Sequence, residues 1–306
     1  ATRLSPLNSY RALSKPNQLG GVFSSSQASQ VTLQPKLDRT MSFLKQLRPV
    51  ILILAALPSA MYAQVPIDFG MRVDEIFASW TSVSSPGCAV GVAVDGLTVL
   101  ERAYGMADLE HGIPNKPETI FEGGSVSKQF TAAAIMLLAL DGQLSLEDDI
   151  RKYVPEVPNY GPTITLRHLM THTSGLRDWG SVAGISGWGR AQRSHNHDHV
   201  LDIVSRQSAA NFDPGHEYSY SNTGYNLLAV VVDRLAGMSF ADFSKERIFE
   251  PLGMNNTQWR DDYRRIVPGR STAYSARPGG NWVIDRPIEH VHGNGGILTT
   301  VGDLII

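Results

Sequence analysis

The chain has 306 residues, of which 42% are hydrophobic and 18% charged, a globular composition long enough for one large domain or two. Its formal net charge is −2; residues 1–63 hold seven Lys/Arg against Asp38 alone, so the remainder carries 20 basic and 28 acidic residues, a net of −8. That balance excludes the basic footprint of a nucleic-acid binder, and the single cysteine, Cys88, excludes an internal disulfide and a Cys-based zinc site.

Residues 1–40 are basic, rich in Ser, Gln and Asn, and free of acidic residues until Asp38. They read as an upstream, non-structural extension or, alternatively, as an organelle transit peptide. From Met41 the chain carries Lys45 and Arg48, an apolar run at 50–57, and small residues up to Ala63. That is the pattern of an export signal spanning 41–63, which predicts a periplasmic or secreted protein. The apolar run is shorter than the roughly 20 residues that span a bilayer, so no stable membrane span is expected. The domain proper then covers 64–306.

Residues 87–94 alternate small and apolar side chains, Asp95-Gly96 is a hairpin signal, and 97–104 supply the returning strand. Cys88 is expected as a buried strand thiol. A helix is predicted from Ser125 to Asp141-Gly142, where glycine suits the residue beyond the last turn. A short helix is expected at 144–149, and an N-capped one over 163–170 that stops at Ser174-Gly175. Residues 178–197, rich in Gly, Trp, Ser and His, read as a long loop. Further helices are expected at 225–235, closed by Gly237, and at 240–249. Residues 299–304 resemble the capped first turn of another. His195, His197 and His199 are read as a solvated loop rather than metal ligands, and Asp261-Asp262 as a solvated turn.

Chemistry is concentrated in Ser125-Val126-Ser127-Lys128, which follows Gly123-Gly124 and heads the apolar run 130–140. A hydroxyl and an amine at i and i+3 share one helix face, roughly 5–6 Å apart at Cβ. The first turn of a helix, with unpaired N–H groups, favours developing negative charge. Such a pair makes an activated serine without a histidine. The spacing alone is unspecific, since Ser42-Phe43-Leu44-Lys45 matches it too. A second motif, Tyr220-Ser221-Asn222, lies 95 residues downstream of Ser125 at its tyrosine.

Together the two motifs resemble the first two active-site boxes of the serine β-lactamase and penicillin-binding protein superfamily. The likeness is to the branch of class C β-lactamases, D-alanyl-D-alanine carboxypeptidases, D-aminopeptidases and esterases. Ile164-Thr-Leu-Arg-His-Leu-Met-Thr-His-Thr-Ser-Gly-Leu176, Phe212-Asp-Pro-Gly215 and Pro251-Leu-Gly-Met254 continue the resemblance in family order. It implies an α/β plus α, β-lactamase/transpeptidase-like fold, an antiparallel sheet flanked by helices with a helical lobe.

The resemblance makes Ser125 the nucleophile and Lys128 its amine partner. It makes Tyr220 the proton relay and Asn222 the group that holds the substrate amide. His168 and His172 become packing residues. The implied chemistry is acyl-enzyme hydrolysis of an amide, lactam or ester in a small-molecule or peptide substrate, with no cofactor and no metal. The family's third box, Lys-Thr-Gly or His-x-Gly, has no counterpart here. The sheet is therefore expected to lack its C-terminal strands and helix, which leaves two alternatives to a hydrolase. One is a non-catalytic penicillin-binding or sensor domain; the other is an inactive gene fragment.

Overall fold

Helix α1 (Phe69–Ile76) opens the part of the protein described by the computed structural model, which covers residues 68–189 and 192–306. The expected extension and export signal lie outside the described residues. The predicted hairpin follows: β1 (Cys88–Val94) pairs antiparallel with β2 (Leu97–Tyr104), turning through Asp95 and Gly96 at φ +51° and +74°. Cys88 is only half-buried, though what burial it has pushes its thiol up. Strands β3 (Met106–Asp108) and β4 (Ile113–Pro114) form a second small antiparallel pair, and β5 (Phe121–Glu122) leads into α2 (Ser127–Leu140).

The helical lobe comprises α3 (Leu166–Met170), α4 (Trp179–Ile185), α5 (His197–Ser205), α6 (Asn222–Ala236) and α7 (Phe240–Ser244). A π turn (Lys245–Phe249) then leads to α8 (Glu250–Leu252). Residues 223–232 of α6 are buried all round, as expected of a central helix rather than a surface one. Ile135 and Leu138 of α2 join Leu166 and Leu169 of α3 and Leu227, Leu228 and Val231 of α6 in one fully buried core. Each such side chain contributes about 1.5–3 kcal/mol on leaving water. After β6 (Gln258–Trp259), the β7 (Tyr274–Arg277) and β8 (Asn281–Ile284) hairpin, β9 (Ile297–Thr299) and α9 (Val301–Leu304) complete the described chain. Strand β9 lies between β5 and β6, antiparallel to both, so a three-stranded sheet brings positions 122, 258 and 298 together. Among the described residues no helix is long and apolar enough to cross a membrane.

Several expectations need correction. Residues 144–149 turn instead of coiling: Asp148 accepts the Ser145 N–H at 2.9 Å, and Asp149 accepts that of Arg151 at 2.9 Å. Those carboxylates satisfy backbone donors that a helix would have used, leaving a short 3₁₀ turn at Ile150–Lys152. The supposed loop at 178–197 contains α4 and the start of α5. Burial of Trp179 and Ala183 overrides the weak helix propensity of Gly180 and Gly184. Asn196 and His199 cap α5 reciprocally, and His195 is fully buried, so this histidine run is not a solvated loop. Helix α6 starts three residues early, at Asn222. The 240–249 helix widens into the π turn before Pro251, which has no N–H to continue the ladder.

Candidate active site

Gly123 and Gly124 bring the chain off β5, and Gly124 adopts φ +50°, a conformation natural to glycine. Ser125 lies in the 3₁₀ turn Gly124–Val126, not in the first turn of α2 as the sequence suggested. The Ser127 hydroxyl donates to the Gly124 carbonyl at 2.6 Å, and α2 begins only there. Ser125 stays exposed. Lys128, one turn on, is 7% exposed. Its Nζ donates to Ser125 Oγ at 3.3 Å, to Asn222 Oδ1 at 3.0 Å and to the Asn294 carbonyl at 2.6 Å. Burial pushes the Lys128 amine below its ordinary range, opposed by the Tyr220 hydroxyl and, more weakly, Asp178.

Tyr220 is exposed, and its hydroxyl shares a 2.7 Å hydrogen bond with Ser125 Oγ. The four residues singled out in the sequence, Ser125, Lys128, Tyr220 and Asn222, therefore meet at one place. Asn222 is set by α6, whose first N–H donates to Asp178 Oδ2 at 2.7 Å. The other oxygen of Asp178 caps α4 by accepting the Ser181 N–H at 2.9 Å. One carboxylate thus serves two helix N-termini, where negative charge is favoured.

Residues 292–297 form a strap across α2 and α6. Ser127 Oγ accepts the Ile297 N–H at 3.0 Å, and Thr131 Oγ1 donates to the Gly293 carbonyl at 2.8 Å. Asn226, fully buried, donates to the His292 carbonyl and to Asn294 Oδ1, both at 2.8 Å. A side chain at Gly293 would come within 2.8 Å of Ala229 Cβ and of the Tyr225 carbonyl, so only glycine lets the strap lie this close. That closeness delivers the Asn294 carbonyl to Lys128.

A cavity of about 160 Å³ opens between Ser125, Tyr220, Asn222, Trp179, Asn294 and Glu122. Glu122 brings no free charge to it, because Arg260 Nε and Arg270 Nη2 hold its carboxylate at 3.1 and 2.9 Å. A larger cavity of about 370 Å³ lies by α7, the π turn and β6, away from all four residues. Two ion pairs line it, Arg265 with Asp261 at 2.7 Å and Lys245 with Glu250 at 3.7 Å. The smaller cavity is the candidate site: the Ser125 hydroxyl and the Tyr220 phenol line it, and the Lys128 amine reaches Ser125 Oγ from behind. The histidine run supplies no ligand cluster there: His195 Nε2 meets the Trp188 carbonyl at 3.2 Å and His197 Nε2 that of His292 at 3.0 Å.

The family model described as Beta-lactamase matches residues 74–306. The chain belongs to the beta-lactamase family. Within it, penicillin-binding protein 4* of Bacillus subtilis is 38% identical over 185 residues, 60% of this chain and 40% of that protein. A D-aminopeptidase of Cereibacter sphaeroides is 34% identical over 179 residues, 58% of this chain and 34% of that one. The chain thus spans less than half the length of either relative. The octameric penicillin-binding protein homologue from Pyrococcus abyssi superimposes with a TM-score of 0.68 at 29% identity, over 78% of this chain and 55% of that one. The β-lactamase/transpeptidase-like fold expected from the motifs is the fold found. Sequence reasoning missed Asn294, Asp178 and Trp179 at the site; Gly293 to Leu304 resembles a family segment that precedes the third box, and no site role followed from it.

Proposed function

We propose that this member of the beta-lactamase family is a serine hydrolase working through an acyl-enzyme on Ser125. The observation that carries the reading is the placement of Ser125 Oγ, 2.7 Å from the Tyr220 hydroxyl and 3.3 Å from Lys128 Nζ. In the acylation step, Oγ bonds to the carbonyl carbon of an amide, lactam or ester. Its proton passes to Tyr220 or the neutral Lys128 amine and then to the leaving nitrogen or oxygen as that bond breaks. The Ser125 N–H supplies half of the oxyanion hole, and Asn222 holds the substrate amide. Water then attacks the ester and returns the proton to Oγ. The named relatives support β-lactams and D-amino-acid peptides, beside simple esters, as substrates to try. The penicillin-binding relative favours a second reading, a domain that acylates without turning over. Export through the 41–63 signal, to periplasm or medium, is part of the proposal and rests on the basic and apolar pattern there.

Incubating the full chain with a labelled β-lactam and with a fluorophosphonate, then mapping the adduct by mass spectrometry, tests the assignment. Labelling is expected on Ser125 and should vanish in Ser125→Ala; labelling that survives the change overturns it. A stable β-lactam adduct without product selects the second reading.

A further inference from the structure

His172 holds a backbone conformation that an imidazole has no intrinsic reason to adopt. It follows Thr171, the C-cap of α3, at φ +58°. Among the described residues only Asp95, in the tight β1–β2 turn, is another non-glycine at positive φ. At a helix end this geometry usually falls to glycine or asparagine, and another side chain costs about 1 kcal/mol there.

The side chain is engaged on every side that faces Tyr220. Its ring centroid lies 4.4 Å from that of Tyr220 at a tilt of 33°, 5.3 Å from Tyr225 and 5.9 Å from Tyr218. His172 Nδ1 accepts the Ser221 N–H at 3.2 Å, and the His172 carbonyl accepts the Ser219 N–H at 2.9 Å. The backbone on both flanks of Tyr220 is therefore tied to one residue. Burial first, and the neighbouring Lys128 second, push the imidazole below its usual range, so it is neutral near pH 7. Because Nδ1 accepts, the ring proton is assigned to Nε2.

Tyr220 needs such a partner. It is 45% exposed, yet its hydroxyl must stay on Ser125 Oγ for proton transfer. We propose that His172 is a positioning residue, whose ring backs the Tyr220 phenol and whose Nδ1 and carbonyl fix residues 219–221. This rests on the reading of Ser125 as nucleophile.

The full chain labelled isotopically at tyrosine Cζ provides a test independent of turnover, the Tyr220 signal being identified by its loss in Tyr220→Phe. His172→Gly removes the ring and the acceptor while keeping a residue suited to positive φ. It should shift and broaden the Tyr220 signal without lowering the melting temperature of the fold. It should also reduce kcat/KM for ester hydrolysis about 100-fold, chiefly in kcat, as misplacement by an ångström does. In the Tyr220→Phe background the same change should cost nothing further. His172→Asn, which tolerates the left-handed region and keeps an acceptor, serves the same comparison if the glycine variant does not fold. A Tyr220 signal unmoved by either variant, or an equal loss of rate in both backgrounds, overturns the proposal. Hydrolysis surviving Ser125→Ala would instead remove the mechanistic reading and leave the spectral test in force.

Discussion

Lys128 sits where two effects on one amine oppose each other. Loss of water disfavours the ammonium, while Tyr220 and, more weakly, Asp178 favour it, and burial is the larger effect. The folded amine therefore gives up its proton at a lower pH than a free lysine, whose ordinary value is 10.5. If the neutral amine takes the Ser125 proton, acylation rises with pH along a limb whose midpoint falls below 10.5. A pH–rate profile of fluorophosphonate labelling measures that limb. Lys128→Gln should remove it and slow labelling by about 10²–10⁴-fold, the usual worth of a positioned base. An unchanged limb in the variant contradicts the assignment. The amine and hydroxyl were legible in the sequence because they are three residues apart on adjoining turns. The Asn294 carbonyl was not: 166 positions separate it from Lys128, and no local pattern couples them.

At the scale of elements, the junction of α6 and α7 carries an ionisable strain. Asp233 accepts the Phe240 N–H, yet burial raises its carboxyl to about 6, the hydrogen bond only partly offsetting it. A raised folded value means that the stabilising proton is fully held below the ordinary 3.8 and lost as pH climbs through about 6. Ionised Asp233 then costs on the order of 1–2 kcal/mol, after allowance for its partial exposure. Asp233→Asn keeps an acceptor oxygen without the charge. It should raise stability to urea by about that amount at pH 8 and change nothing at pH 3; equal effects at both would refute the account. The caps of α3 at Thr165 and α9 at Thr300 are local signals that the sequence showed, whereas the Asp178 cap of α4 and the Asn196 cap of α5 went unread in a stretch taken for a loop. In α4 the glycines argue against a helix, and the burial of Trp179 and Ala183 outweighs them.

Across the whole molecule, Arg260 joins distant parts of the chain. It is 1% exposed, donates to Glu122 Oε1 at 3.1 Å and to Glu289 Oε1 at 3.3 Å, and also meets the Glu289 carbonyl. It thereby fastens β6 to β5 and to the segment entering the 292–297 strap. Arg260→Met removes the guanidinium shared by Glu122 and Glu289 and should lower unfolding stability by about 1–3 kcal/mol, Arg270 still holding Glu122 at 2.9 Å. A urea midpoint within error of the parent protein would argue that the pair is solvated after all. By itself the sequence determined the β1–β2 hairpin, the main helices, and, through motif order, the four residues that meet around the Ser125 hydroxyl and the Lys128 amine. Those follow from alternation, caps and spacing, which act over a few residues. Tertiary structure alone decided that Lys128 is buried enough to give up its proton more readily than a free lysine, that Asp178 serves two helix N-termini, and that the strap brings Asn294 to the amine. Desolvation and long-range hydrogen bonds depend on what the folded chain places nearby, and no local pattern records that.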